Sequence, residues 1–301
     1  MKRIFILAVI AVLIPFFLCI VIKKNDKNFE YCSNKLVRVK TASGILDVPL
    51  EDYVLGVITG EMPSNFSLEA LKAQAVAART FVLKKQESTS NNSYDVTDNT
   101  SDQMYYTQDY LKNRWGTEYY EKIKKYQEAV NETNGEYLTY DDKIITSFFF
   151  STSPGFTENS EDVFVQALPY LRSVDSSWDS EVAPSYETIY SFTKDEIITK
   201  LSLVSNSSLD FTVEDTSQTG RIKKMKINEK EFTGREIATL LKLKSSYFSI
   251  SQKDNKVIID CKGFGHGVGM SQYGAYAISL KGYDYQDILY YYYKDTKIKK
   301  I

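Results

Sequence analysis

Glu61 is the residue in this sequence best placed to do chemistry. It stands in the run Thr59-Gly60-Glu61-Met62-Pro63. The residues before it, from about Leu50 to Gly60, have helical spacing, and the helix must stop near Pro63, whose ring and missing N–H break helices. At about 100° per residue, with Val54 at zero, Val57, Ile58 and Glu61 fall at about 300°, 40° and 340°, the i, i+3, i+4, i+7 stripe that faces a core. A carboxyl group on that face loses solvent. Desolvation disfavours the charged form and raises the pKa, and a raised pKa lets the group donate a proton near neutral pH. A Glu paired with a neighbouring cation, or one exposed by fraying at the helix end, satisfies the same spacing equally well.

Other residues of the right type lie further along. A second helix, from an N-cap at Ser67 to about Gln86, carries a narrow apolar stripe of Leu68, Leu71, Ala75, Ala78 and Val82. Lys72 and Arg79, seven residues apart, lie about 20° from one another on the edge of that stripe. Two cations there would orient a substrate or stabilise negative charge near Glu61; a solvated face with long stems along the core is the plainer alternative. The run Gly263-Phe264-Gly265-His266-Gly267-Val268-Gly269 leads into a helix. Its glycines permit positive φ and close backbone approach, but no Gly-Lys-Ser/Thr follows, so it is not a phosphate loop. His266, the single histidine of the chain, sits in this loop, where a functional role and a structural hydrogen bond are equally open.

These residues must be positioned by a mixed set of elements. A hairpin over Leu36 to Val48 turning at Ser43-Gly44 precedes the two helices. An Asn/Ser/Asp-rich loop follows from Ser88 to Thr107, then a helix over Tyr110 to about Val130. A hairpin over Glu136 to Ser151 ends in Phe148-Phe149-Phe150, and a long loop runs to about Pro184. Next come a helix over Thr193 to Leu203, strands near Asp210 to Val213 and Ile222 to Ile227, and a helix from Thr233 to Leu243. A hairpin over Tyr247 to Cys261 turns at Asp254-Asn255, and helices begin near Ser271 and Tyr285. The pattern is α+β, mixed helical and antiparallel, without the regular alternation of a parallel sheet. A β-rich subdomain over about residues 190–262 is a further expectation.

The chain has 301 residues, 43% hydrophobic and 25% charged, with net charge −2 and both signs interspersed. Such a composition folds and lacks the basic stripe of a nucleic-acid binder. Tyr is abundant (23, against 2 Trp); its flat face and hydroxyl suit stacking on sugar rings, though most of these residues are expected to pack strands and helices. Ile4 to Ile22 is apolar and uncharged, flanked by Lys2, Arg3, Lys23, Lys24 and Lys27. Nineteen residues at ~1.5 Å each just span a hydrocarbon core. No small-residue cleavage site follows. Residues 1–24 therefore read as a cytoplasmic tip and retained signal-anchor, 25–35 as a linker and 36–301 as the extracytoplasmic functional region of about 265 residues. Cys19 lies in the apolar segment, which leaves Cys32 and Cys261 free to pair or not.

In its motifs the chain resembles the stage II sporulation protein D (SpoIID/LytB) family. The matching segments are Leu50-Glu51-Asp52-Tyr53-Val54-Leu55-Gly56-Val57, Gly60-Glu61-Met62-Pro63 and Glu69-Ala70-Leu71-Lys72-Ala73-Gln74-Ala75-Val76-Ala77-Ala78-Arg79-Thr80. Further on come Ser151-Thr152-Ser153, Asn159-Ser160-Glu161-Asp162-Val163, Pro169-Tyr170-Leu171 through Val174-Asp175, and Gly265-His266-Gly267-Val268-Gly269-Met270-Ser271-Gln272-Tyr273-Gly274-Ala275. The resemblance implies a membrane-anchored lytic transglycosylase that cleaves peptidoglycan glycan strands, preferably stripped of stem peptides, during forespore engulfment. It would work from the mother-cell membrane, facing the septal or engulfing wall. It implies Glu61 as the catalytic acid, with Lys72, Arg79, His266, Ser271, Gln272 and Tyr273 as substrate-binding candidates. It also implies two partners, an amidase like stage II sporulation protein P and a membrane scaffold like stage II sporulation protein M. Some relatives carry Cys/His residues after the Ser-Thr-Ser motif and can hold zinc; Ser153-Pro154-Gly155-Phe156-Thr157-Glu158-Asn159 has neither, so no metal and no cofactor are expected. A non-catalytic amidase activator or glycan-binding adaptor is the second reading. A hydrolase built on Cys261 or Ser271 with His266 is the third.

Overall fold

The structure, a computed structural model, describes residues 34–204 and 209–301. The apolar segment read as an anchor lies outside the described residues, among which no helix is long and apolar enough to cross a membrane. The described chain is α+β. Five small sheets carry it, all with antiparallel pairing except where Leu36–Thr41 meets Val96–Thr97 and where Phe149–Phe150 meets Met270–Ser271.

The helix Leu68–Thr89 is the centre. Ser67 caps it, its hydroxyl accepting from the Ala70 N–H, and every residue from Ala70 to Leu83 is buried. The one-sided stripe expected of it is therefore wrong. Four alanines in Ala73–Ala78 leave little side-chain bulk, so other elements approach from all around: the helices Leu50–Glu61, Tyr119–Glu132, Gln272–Ser279 and Tyr285–Tyr292, and the strand Glu136–Tyr140. The Leu50–Glu61 helix ends where Met62 turns extended and its N–H bonds back to the Ile58 carbonyl, just before Pro63.

Other expected elements changed shape. The helix over Tyr110 to Val130 is broken in two, Gln108–Trp115 and Tyr119–Glu132, because Gly116 adopts φ 52° and ends the first piece. The Glu136 hairpin is shorter than expected and closes with Lys143–Ile144. Phe149–Phe150 instead leaves to pair with Met270–Ser271, which brings the glycine-rich run beside the Ser-Thr-Ser motif. The strands Glu187–Thr193, Lys230–Thr233 and Lys297–Lys300 were not anticipated. The Asp254-Asn255 turn is as expected: both residues have positive φ, the geometry of a two-residue hairpin loop. Two hydrophobic clusters form among the described residues. The larger draws on residues from Val37 to Tyr293; the smaller, with Ile197, Leu209, Met225, Ile237, Val257 and Cys261, lies under the later sheets.

Candidate active site

Glu61 closes the Leu50–Glu61 helix and is half-buried. Its Oε1 accepts a hydrogen bond from the backbone N–H of Met104 at 2.8 Å, and its Oε2 accepts one from Gln272 Nε2 at 3.0 Å. Both donors are neutral. No ion pair engages Glu61 among the described residues, so the cation-paired alternative does not hold, and two fixed donors are not the surroundings of a frayed end. Burial raises its pKa above the ordinary carboxylate value, with the Met104 and Gln272 bonds working in the other direction.

Met104 reaches Glu61 because the helix is notched. Gly56 and Gly60 lie one turn apart on it. A Cβ at Gly60 would come within 2.9 Å of the Met104 carbonyl oxygen; one at Gly56 would meet the Tyr105 ring at 2.4 Å and the Tyr106 carbonyl oxygen at 2.6 Å. Two bare positions thus let residues 103–106 lie across the helix as a strap, fixed by the Tyr106 N–H to the Gly56 carbonyl at 3.2 Å and by Tyr53 Oη to Gln103 at 2.9 Å. The Tyr105 ring stacks on Tyr53 at 5.4 Å. In the sequence this segment reads as part of a polar loop. Its donor is a backbone N–H with no side-chain signature; the Gly56/Gly60 spacing was the available clue.

Gln272 is held from the other side. It opens the Gln272–Ser279 helix, whose N-cap Ser271 accepts from the Gly274 N–H at 3.2 Å. Tyr273 follows. Its N–H donates to the Ser151 carbonyl at 3.0 Å, and its ring packs edge-on against Phe66 at 5.0 Å. Ser271 itself is wholly buried and donates to Asp179 Oδ2, so it supports the site without facing a ligand.

Three expected site residues stand elsewhere. Arg79 is 0% exposed: Nε and Nη2 grip both carboxylate oxygens of Glu51 at 2.9 and 2.5 Å, while Nη1 donates to the Glu136 carbonyl at 2.9 Å. Such a fork staples two helices and a strand, and it offers no surface to a substrate. Lys72 is paired with Glu69 at 2.8 Å and Glu132 at 2.5 Å. Both cations face carboxylates of the scaffold rather than Glu61. Wheel angles place residues on a flank, but which neighbours fill that flank is set by chain segments far away in sequence.

His266 sits among Phe148, Phe150 and Phe164, its Nδ1 accepting from the Val268 N–H at 3.1 Å. Burial first, then the neighbouring Arg221 charge, push its pKa down to about 4, so it is neutral over the physiological range. It lies on the wall of a cleft of about 1100 Å³ between the Gly234–Leu241 helix and the glycine-rich run, and Glu61 is not among the residues lining that cleft. His266 and Ser271 make no hydrogen bond with one another among the described residues. Cys261 is buried in the smaller core with its thiol against Ser245. The Cys/Ser hydrolase reading has no assembled dyad. Among the described residues no group of three or more His, Cys, Asp or Glu is placed to hold a metal.

What the fold assembles, then, is one half-buried carboxyl group gripped by two neutral donors. Comparison with known proteins agrees with the motifs that build it. The family model described as Stage II sporulation protein (SpoIID) matches residues 39–140, which include Glu61, Arg79 and the strap. The chain is 40% identical over 261 residues to stage II sporulation protein D of Bacillus subtilis, a match covering 84% of this chain and 75% of that protein. The corresponding Bacillus amyloliquefaciens protein is likewise 40% identical, over 260 residues, with the same coverage. The amidase enhancer of Bacillus subtilis is 31% identical over 297 residues, covering 81% of this chain and 40% of its own. On this evidence the chain belongs to the stage II sporulation protein D family.

Proposed function

We propose that this sporulation protein is a lytic transglycosylase that cleaves peptidoglycan glycan strands, preferably those stripped of stem peptides, with Glu61 as acid and then base. One observation supports this above the others: Glu61 is desolvated and hydrogen-bonded yet has no cation among the described residues, so burial holds its proton at a higher pH than an exposed Glu would keep it. In the reaction Glu61 gives its proton to the glycosidic oxygen as the C1–O bond breaks through an oxocarbenium-like state. The resulting carboxylate takes the proton of the sugar's own C6 hydroxyl, whose oxygen closes on C1 as an anhydro ring. No water is consumed, so the second carboxylate that ordinary glycosidases need for water or for a covalent adduct is not required. Gln272 holds the carboxyl in place, and Tyr273, next to Gln272 in the chain, is the aromatic that would meet a sugar ring. The expected setting is a membrane-anchored protein facing the engulfing wall, working with an amidase like stage II sporulation protein P and a scaffold like stage II sporulation protein M.

The test is product analysis by mass spectrometry on peptide-stripped glycan strands. The wild-type chain releases anhydro-ended fragments; Glu61→Gln, which keeps the shape and removes the acid, loses roughly 10²–10⁴-fold in rate. Anhydro products released by the Gln variant at the wild-type rate sink the assignment. The amidase enhancer among the relatives supports a second reading, a glycan-binding activator of an amidase. That reading expects strand binding without soluble products, and stimulation of the amidase that Glu61→Gln leaves intact.

A further inference from the structure

Asp179 is 0% exposed and has no cationic partner among the described residues, yet it gathers donors from three separate places in the chain. Its Oδ2 accepts from the Ser153 N–H at 2.7 Å, in the Ser-Thr-Ser motif, and from the Ser271 hydroxyl. Its Oδ1 accepts from the Ser176 hydroxyl at 2.7 Å, which is in turn 2.8 Å from Tyr292 Oη. The carboxylate also sits against the N-terminus of the Gln272–Ser279 helix: a Cβ at Gly274 would meet Asp179 Oδ1 at 2.7 Å, Ser176 Oγ at 2.6 Å and Tyr292 Oη at 2.1 Å. A buried carboxylate costs several kcal/mol to desolvate unless its surroundings replace water. Here hydroxyls, a backbone N–H and the positive end of a helix do so.

From this we infer that Asp179 is a positioning residue for the acid, acting through Ser271 and Gln272. The chain of bonds is short. Asp179 fixes the Ser271 hydroxyl; Ser271 caps the helix that starts at Gln272; Gln272 Nε2 donates to Glu61 Oε2. The same carboxylate fixes Ser153, and the neighbouring Ser151 carbonyl takes the Tyr273 N–H, so Gln272 and Tyr273 are both registered against one buried anchor. Asp179 makes no hydrogen bond with Glu61 among the described residues and is wholly buried. Its importance for function rests on the Glu61 reading above, but its geometric link to Glu61 can be measured without turnover.

The experiment follows the Glu61 carboxyl by ¹³C NMR titration in the full chain, with Glu61→Gln supplying the assignment. Because the Gln272 bond favours the ionised form, losing it moves the titration to higher pH. Gln272→Ala and Asp179→Asn should each move Glu61 upward, and the double variant should move it no further than Gln272→Ala alone. Ser271→Ala, which keeps the carboxylate and removes the link, should do the same and stands in if Asp179→Asn does not fold. Ser176→Ala breaks the hydroxyl bond to the other oxygen of the same carboxylate, on the side facing Tyr292, and should leave Glu61 unmoved. On peptide-stripped strands Asp179→Asn should lower kcat with little change in KM. A Glu61 titration unchanged in both Asp179→Asn and Ser271→Ala overturns the proposal, as does one that fails to respond to Gln272→Ala. If the titrations move as expected but no variant and no wild-type chain cleaves glycan, the positioning role stands and the enzymatic reading falls.

Discussion

An acid that must keep its proton near neutral pH needs burial without a cation, and the two donors on Glu61 bear on how far that goes. Met104 and Gln272 favour the carboxylate, so they temper the rise that burial causes while holding the group in one orientation. The sign of the rate profile follows: the acid form is lost as pH rises through the Glu61 pKa, so kcat/KM should fall on the alkaline side at a pH set by this residue. Gln272→Glu makes a sharp test. It places a second carboxylate about 3 Å from the first, and like charges at that distance push the pair's upper pKa well up. The alkaline limb should move to higher pH. A limb that stays put belongs to another group. At this scale the sequence was readable in one respect and opaque in another: the period of Val54, Val57 and Ile58 put Glu61 on a buried face, but its donors come from residues 43 and 211 positions away. Likewise nothing local distinguished an Arg79 that binds substrate from one forked onto Glu51.

Among the elements, those built by local rules were legible and those built by distant pairing were not. Ser67, Thr193 and Thr233 cap their helices through their own next turn, and Asp254-Asn255 turns its hairpin, so a window of a few residues contained the information. Phe149–Phe150 pairs with a strand 121 residues on, and Val96–Thr97 lies parallel to Leu36–Thr41, contacts that two-residue segments cannot announce. The strap over Gly56 and Gly60 belongs to this second kind, and it yields a prediction in which two magnitudes compete. Helix propensity favours alanine over glycine by about 1 kcal/mol. Overpacking against fixed neighbours typically costs about 1–3 kcal/mol, and the neighbours at Gly56 are a stacked ring at 2.4 Å and a carbonyl oxygen at 2.6 Å. Packing should win. Gly56→Ala is expected to lower the melting temperature, lift the strap and reduce the proposed strand cleavage. A raised melting temperature with full activity shows instead that the strap is not clamped to the helix.

For the whole molecule, two groups near the glycine-rich run, Asp179 and His266, are shifted in opposite directions. Burial raises Asp179 from 3.8 to about 6 and lowers His266 from 6.5 to about 4, with the Arg221 charge adding to the latter. Asp179 has the higher pKa when folded, so its contribution is fully present below about 3.8 and is lost as pH rises to about 6. His266 has the lower pKa when folded, so its contribution is present above about 6.5 and is lost as pH falls to about 4. Each change is worth roughly 3 kcal/mol, somewhat less for the partly exposed His266. Over nearly the same window the two slopes should cancel and leave wild-type stability rather flat. Single variants should uncover them. Relative to wild type, Asp179→Asn should gain stability as pH rises from 4 to 6, and His266→Gln should lose it, whatever constant offset each substitution brings. Denaturant unfolding of the three proteins across that range reads the difference directly, and other titrating groups drop out because all three share them. Parallel curves would mean that neither group is held in the protonation state its burial demands, and that water reaches both.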